Sequence, residues 1–258
     1  MRKVGSLDLS RRLHVLREAA RSFCSRLVES RRDVVAVFVV GSVARGSIHE
    51  ESDVDVCVLV NVGDMPRREL VRELGCEIDV VYVPLAMWEE RLRREVGSMW
   101  EINVSNILDS LVLYDPYGLI ERIKRELKVY PEEKRRENIL YHFHLMGWHE
   151  NSVKYHYSVK KYDIESIFSK LFVVEALRIL FPLNSVYLKG DKYLFDQVNS
   201  LQAPSSYLEN CFNLLWFKSQ NIEHGEAAWI KNTVSEIMET MRKEILQRKL
   251  APLDLIFK

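Results

Sequence analysis

The chain has 258 residues, with 37 Lys and Arg against 37 Asp and Glu, 47% hydrophobic and 29% charged residues. Such values exclude a disordered tail, a collagen-like fibre and a disulfide scaffold, and the formal neutrality argues against nucleic acid as a partner. No apolar run approaches the ~20 residues that span a membrane, the start lacks the apolar centre of a signal peptide, and Cys24, Cys57, Cys76 and Cys211 make no C-x-x-C pair. A cytoplasmic protein without a zinc site or disulfides is therefore expected.

Leu9, Leu13, Leu16, Ala20, Phe23 and Leu27 recur at helical spacing and predict an amphipathic helix over residues 8–30. Nine Lys or Arg against three acids fall within residues 1–32. A solvated basic face is the plain reading of that excess, and contact with RNA or a phosphate-rich ligand is the other. Residues 34–40, Val-Val-Ala-Val-Phe-Val-Val, predict a strand buried on both faces. In residues 53–60, Val54, Val56, Val58 and Val60 face one way, with Asp53, Asp55, Cys57 and Leu59 on the other. Residues 66–74 read as a short helix opened by Pro66. A third strand follows from Cys76 to Val83, and a last short one begins at Val112. Helices are then expected at 118–128, 132–157, 163–181, 190–200, 204–218 and 224–249. The composition shift near residue 116 predicts an α+β fold in two domains. A mixed-sheet domain with helices covers 1–116, and an all-α bundle that would bind the acceptor covers 117–258.

The chemistry concentrates in Gly41-Ser-Val-Ala-Arg-Gly-Ser-Ile-His-Glu-Glu-Ser-Asp-Val-Asp55. Asp53 and Asp55, two apart on a strand, point to one face, and two neighbouring carboxylates stay ionised together when a cation joins them. Their hard oxygens suit Mg²⁺ held together with a substrate phosphate. Asp79 lies in the middle of an apolar strand, where a charge needs a partner. Beside the second strand it would complete a three-carboxylate cluster able to hold two metal ions for in-line phosphoryl displacement. Gly41 and Ser42 end a buried strand where backbone N–H groups and the Ser42 hydroxyl can take phosphate oxygens. Arg45 can add charge-assisted bonds to those phosphates or to Asp53. Gly46 then releases the chain toward Ser52. Each piece taken alone is an ordinary turn or strand start; their order on adjacent elements is what points to a phosphate-and-metal site.

This pattern, G-S-x-x-R-G-x5-S-D-x-D before a strand with one central acid, resembles the nucleotidyltransferase superfamily of DNA polymerase beta. Gly41, Ser42, Arg45, Gly46, Ser52, Asp53 and Asp55 match, and Asp79 fits the third carboxylate. The resemblance covers roughly residues 30–116. It implies a mixed-sheet core that binds a nucleoside triphosphate, ATP by default, with Mg²⁺, and transfers its NMP to a hydroxyl. Asp53, Asp55 and Asp79 would hold the metals, and Asp79 would help deprotonate the hydroxyl, with Glu77 on the same strand face as its alternative. The helical half is similar in layout to kanamycin and lincosamide nucleotidyltransferases, which implies a small-molecule acceptor. An antitoxin-type protein AMP-transferase and a nucleotide-binding module without turnover are the competing readings, and the assembly is left open, with a homodimer among the options.

In the helical half, His142, His149 and His156 repeat every seven residues. One heptad is ~10 Å along a helix, too far for shared ligation, so a polar face is expected. Glu150 and Lys154 read as a surface ion pair, with a base and a phosphate-binding lysine as the functional alternative. Glu175 falls on an apolar face and is expected to pair with Arg178, or else to meet a cationic acceptor. Trp88, Trp100, Tyr114, Tyr117 and Trp148 are read mainly as core, though any could stack on a base.

Overall fold

In the computed structural model, residues 6–63 and 65–250 are described. The chain divides into two compact units. The first comprises residues 1–95 and 103–129, and the second 96–102 and 130–258. The expected boundary at 116 lies between the last strand of the first unit and the helix that follows it. Among the described residues no helix is long and apolar enough to cross a membrane, and the four cysteines are free.

The first unit is built on a five-stranded sheet of order β3-β4-β2-β1-β5, from β1 (Val34–Val40), β2 (Val54–Val60), β3 (Arg67–Glu73), β4 (Cys76–Pro84) and β5 (Leu111–Tyr114). The apolar run of β1 lies between β2 and β5 and is buried on both faces because side chains from helices cover each side of the sheet. One sheet face carries Val37, Val39, Val54, Val56, Val58, Ile78 and Val80 and packs with Leu16, Ala20, Phe23 and Leu27 of α1 (Ser6–Ser30). The apolar stripe read from the sequence is thus the side that α1 buries. The opposite face carries Phe38, Leu59 and Val83, with Trp88 of α3 (Leu85–Arg94), Ile107 of α4 (Ser98–Leu108), and Leu119 and Ile120 of α5 (Leu119–Leu127).

Residues 66–74, expected as a helix, instead form edge strand β3, antiparallel to β4. The alternation decides it. Glu69, Val71 and Glu73 are half-buried, while Arg68, Leu70 and Arg72 are exposed. Val71 reaches the core beneath α1, Glu73 takes bonds from Ser22 and Arg26, and Glu69 accepts from Tyr82 Oη at 2.8 Å. Leu74 and Gly75, with φ of 49° and 78°, close a two-residue hairpin into Cys76. Charged side chains suit an edge strand, since they discourage pairing with another chain.

The second unit gathers α6 (Glu132–Ser158), α7 (Tyr162–Arg178), α8 (Leu180–Leu183), a 3-10 turn (Asp191–Tyr193), α9 (Leu194–Val198), α10 (Tyr207–Trp216) and α11 (His224–Gln247) around one apolar core. These follow the expected helices closely, with 190–200 split between the 3-10 turn and α9. On α6, His142 and His149 are buried rather than forming a solvated face. The buried stripe Ile139, Phe143, Met146 and Val153 runs between them, so the helix carries its polar groups inward.

Candidate active site

The site assembles where β1, β2 and β4 end or begin on one edge of the sheet. Gly41 starts α2 (Gly41–Arg45) directly after β1, with φ of 72°. A Cβ at Gly41 would lie 2.6 Å from Asp55 Oδ2, so the turn needs glycine both for its left-handed backbone and for the room it leaves the carboxylate. Gly46, with φ of 74°, ends α2 by returning its N–H to Ser42 O. Ser52 is buried; its Oγ accepts from the His49 N–H at 2.9 Å, which closes the loop that delivers Asp53.

Asp53 is exposed and immediately precedes β2, while Asp55 is half-buried within it. β2 and β4 are parallel, and Asp55 stands in register with Asp79. The three acids therefore share the sheet face opposite α1, as the strand periodicity requires. Asp79 is buried and held from the neighbouring edge strand: Arg68 Nε donates to Oδ1 at 2.7 Å and Nη2 donates to Oδ2. The same guanidinium lies close enough to Asp55 and Asp53 to be held charged by both, after Asp79. Glu77 is exposed at the outer end of β4, 3.7 Å from Arg72. Cys57, the next residue on this face after Asp55, is held as a neutral thiol by burial, which pushes its pKa up to about 12.

The donor set is all carboxylate, which fits a hard divalent cation with phosphate and water completing its shell. Among the described residues no group of three or more His, Cys, Asp and Glu side chains converges closely enough to hold a metal ion. Both Asp79 oxygens are turned to Arg68.

Arg45 reaches toward α4. Its Nη1 donates to Asn106 Oδ1 at 3.3 Å and lies 3.9 Å from Asp109 Oδ2. The basic first helix supplies two further anchors. Arg17 donates to the Val43 and Ala44 carbonyls at 3.1–3.2 Å, and Arg12 to the Ser52 carbonyl at 3.2 Å. Arg12, Arg17 and Arg68 were not singled out as site residues by sequence reasoning. Only the excess of arginine in residues 1–32 pointed toward the first two, and the helical reading of 66–74 hid the third.

The remaining charged candidates lie in the second unit. Glu150 pairs with Lys154 at 2.7 Å and accepts from Ser235 Oγ at 3.1 Å. Glu175 is held below the usual carboxylate range, against the effect of burial, by His142 Nδ1 and Arg178 Nη1, each at 2.7 Å. Trp88 and Trp100 are buried, whereas Tyr117 and Trp148 are exposed.

Comparison with known proteins follows the same lines. Residues 16–155 match the family model described as a nucleotidyltransferase domain. Among solved structures, a nucleotidyltransferase-like protein from Exiguobacterium sibiricum 255-15 shares the fold with a TM-score of 0.63, at 11% sequence identity over 88% of this chain and 76% of that chain. No curated protein matches the chain.

Proposed function

The chain belongs to the nucleotidyltransferase-domain family of the polymerase beta-like superfamily, and from that premise we propose that it is a Mg²⁺-dependent enzyme that transfers AMP from ATP to a hydroxyl of a small molecule. An aminoglycoside-like or lincosamide-like compound is the concrete acceptor. The observation that carries this reading is the register of Asp55 with Asp79 across β2 and β4, with Asp53 beside them and Gly41–Ser42 opening onto Asp55.

In this reading the acceptor oxygen forms a new bond to the α-phosphorus, the bridging bond to the β-phosphate breaks, and pyrophosphate leaves. Ser42 and the adjoining backbone N–H groups hold phosphate oxygens. Asp53 and Asp55 would hold Mg²⁺, with Asp79 as third ligand once Arg68 yields it. Bound there, the cation supplies Lewis-acid stabilisation of charge on the phosphoryl oxygens. Asp79 also accepts the hydroxyl proton, with Glu77 as its alternative. The second unit selects the acceptor, and a reducing, ATP-rich cytoplasm suits the four free thiols.

The test is label transfer. The full-length protein is incubated with α-labelled ATP, Mg²⁺ and a cell extract, beside Asp53→Asn. Loss of one metal-binding carboxylate removes several kcal/mol of transition-state stabilisation, so the variant is expected to fall about a thousandfold while still binding nucleotide. Label on a small, non-precipitating compound in the wild type alone supports the proposal. Label on a polypeptide would make the enzyme a protein AMP-transferase. Label in neither fraction, with every nucleoside triphosphate tried, would leave a binding module and sink the enzymatic reading.

A further inference from the structure

On the sheet face that bears the carboxylates lies a cavity of about 190 Å³, and all its lining belongs to the first unit. Its floor is Cys57 and Val81, the residues next after Asp55 and Asp79 on that face, roughly 7 Å further along each strand. Phe38 and Trp88 form its aromatic side, their centroids 6.4 Å apart and tilted by 55°. Asn103 and Asn106, three apart on α4, bring the polar side, with Arg91 of α3. Protein interiors seldom leave voids larger than a water molecule. An apolar cavity of ~150 Å³ is enough to hold benzene.

We infer that this cavity holds the heteroaromatic base of the nucleoside triphosphate. The inference rests on the nucleotide reading of the same site and names where the base goes. Three observations carry it. The lining is apolar on its broad sides and amide-bearing at one edge, as a flat ring with polar edge atoms requires. The two amides are complementary: Asn106 Oδ1 is taken by Arg45, which leaves its NH₂ as donor, and Asn103 NH₂ is taken by Glu95 Oε2 at 3.0 Å, which leaves its Oδ1 as acceptor. A donor and an acceptor on one helix face can read the adjacent ring-nitrogen acceptor and amino donor of adenine, as asparagine amides do in nucleic-acid recognition. Finally, the Arg45–Asn106 bond joins the end of α2 to the cavity wall, so the turn that would take the phosphates and the cavity that would take the base are tied by one hydrogen bond. Arg91 at the rim discourages a cationic acceptor but stacks readily on a base.

The test compares ATP with inorganic tripolyphosphate, which keeps the phosphates and lacks the base. Binding of each is measured calorimetrically with Mg²⁺ on the full-length wild type, on Val81→Phe, which fills the cavity, and on Asn103→Ala, which removes the acceptor and fills nothing. Wild type is expected to prefer ATP at least tenfold. Val81→Phe should lose that preference while keeping its affinity for tripolyphosphate, and Asn103→Ala should lose several-fold of it. If Val81→Phe does not melt like wild type, Asn103→Ala decides alone. Equal wild-type affinity for the two ligands would overturn the inference and leave the nucleotidyltransferase reading standing. Variants that keep the full wild-type preference would place the base elsewhere. A wild type that binds neither ligand would remove the nucleotide reading, and this inference with it.

Discussion

Gly41 and Arg68 set the two constraints on the carboxylates, one steric and one electrostatic. Gly41→Ala puts a methyl group where Asp55 Oδ2 already lies 2.6 Å away, on a backbone with φ of 72°. A left-handed alanine costs about 1–2 kcal/mol, and the carboxylate must also move. The expected outcome is a lower urea midpoint together with loss of transfer; a variant with wild-type rate would show that Asp55 need not keep this position. Arg68 acts through charge. It bonds Asp79 and lies within reach of Asp55 and Asp53, so it offsets the mutual repulsion of three acids on one face. Arg68→Ala is expected to melt earlier than wild type without metal. Added Mg²⁺ should then raise its melting temperature by more than it raises that of wild type, because the cation takes over the balancing role. Equal increments in the two proteins would mean that Arg68 and the cation do not share the same carboxylates.

At the scale of elements, β3 is where local pattern and tertiary structure part. PRRELVREL carries strong helix formers, and its only buried apolar residue is a half-buried valine, so helical propensity governs a reading from nearby residues alone. What makes it a strand is β4, a partner that offers Asp79 and Glu77 to its arginines and a backbone ladder to its peptides. The turn between them is imperfect, since Leu74 takes a left-handed backbone at φ of 49° in a hairpin that favours asparagine there. Leu74→Asn is therefore expected to stabilise the protein by about 1 kcal/mol, read as a raised urea midpoint with unchanged transfer; a drop would show that the exposed leucine has a partner. Of the long helices, α1 and α11 were legible from an apolar stripe over several turns, and α6 and α7 from long runs free of proline between Pro131 and Pro182. The glycine-serine turn and Asp53–Asp55 were legible because they sit within fifteen consecutive residues. Arg68, Arg12, Arg17 and Asn106 were not, because each meets the site from a distant element and no local periodicity records such a contact.

For the whole molecule, formal neutrality conceals an uneven burial of charge. The second unit encloses several ionisable groups, and burial raises the pKa of two of its carboxyls. Glu101 is fully buried, accepts from Tyr130 Oη at 2.6 Å, and is pushed up to about 8 by burial. Glu165 is fully buried, neither of its oxygens has a hydrogen-bond partner, and burial pushes it up to about 7. Unfolded, both would ionise near pH 4.3. Between that value and their folded values the native state binds more protons than the unfolded state, so stability falls as pH rises across that window. For Glu101 alone the loss is on the order of 4 kcal/mol by pH 8. His149 acts in the opposite sense: burial lowers its pKa, so its contribution is lost as pH falls below about 6.5. Two carboxyls outweigh one imidazole, so across the window these groups govern the expected profile falls from about pH 5 to pH 8. Urea unfolding followed by tryptophan fluorescence from pH 5 to 9 would trace it, since Trp100 is buried beside Tyr130 in the same unit. Glu101→Gln keeps the hydrogen-bonding shape and removes the proton exchange, so its alkaline limb should flatten, and adding Glu165→Gln should flatten it further. A wild-type limb already flat between pH 5 and 8 would mean that these carboxyls gain solvent or a cationic partner when they ionise.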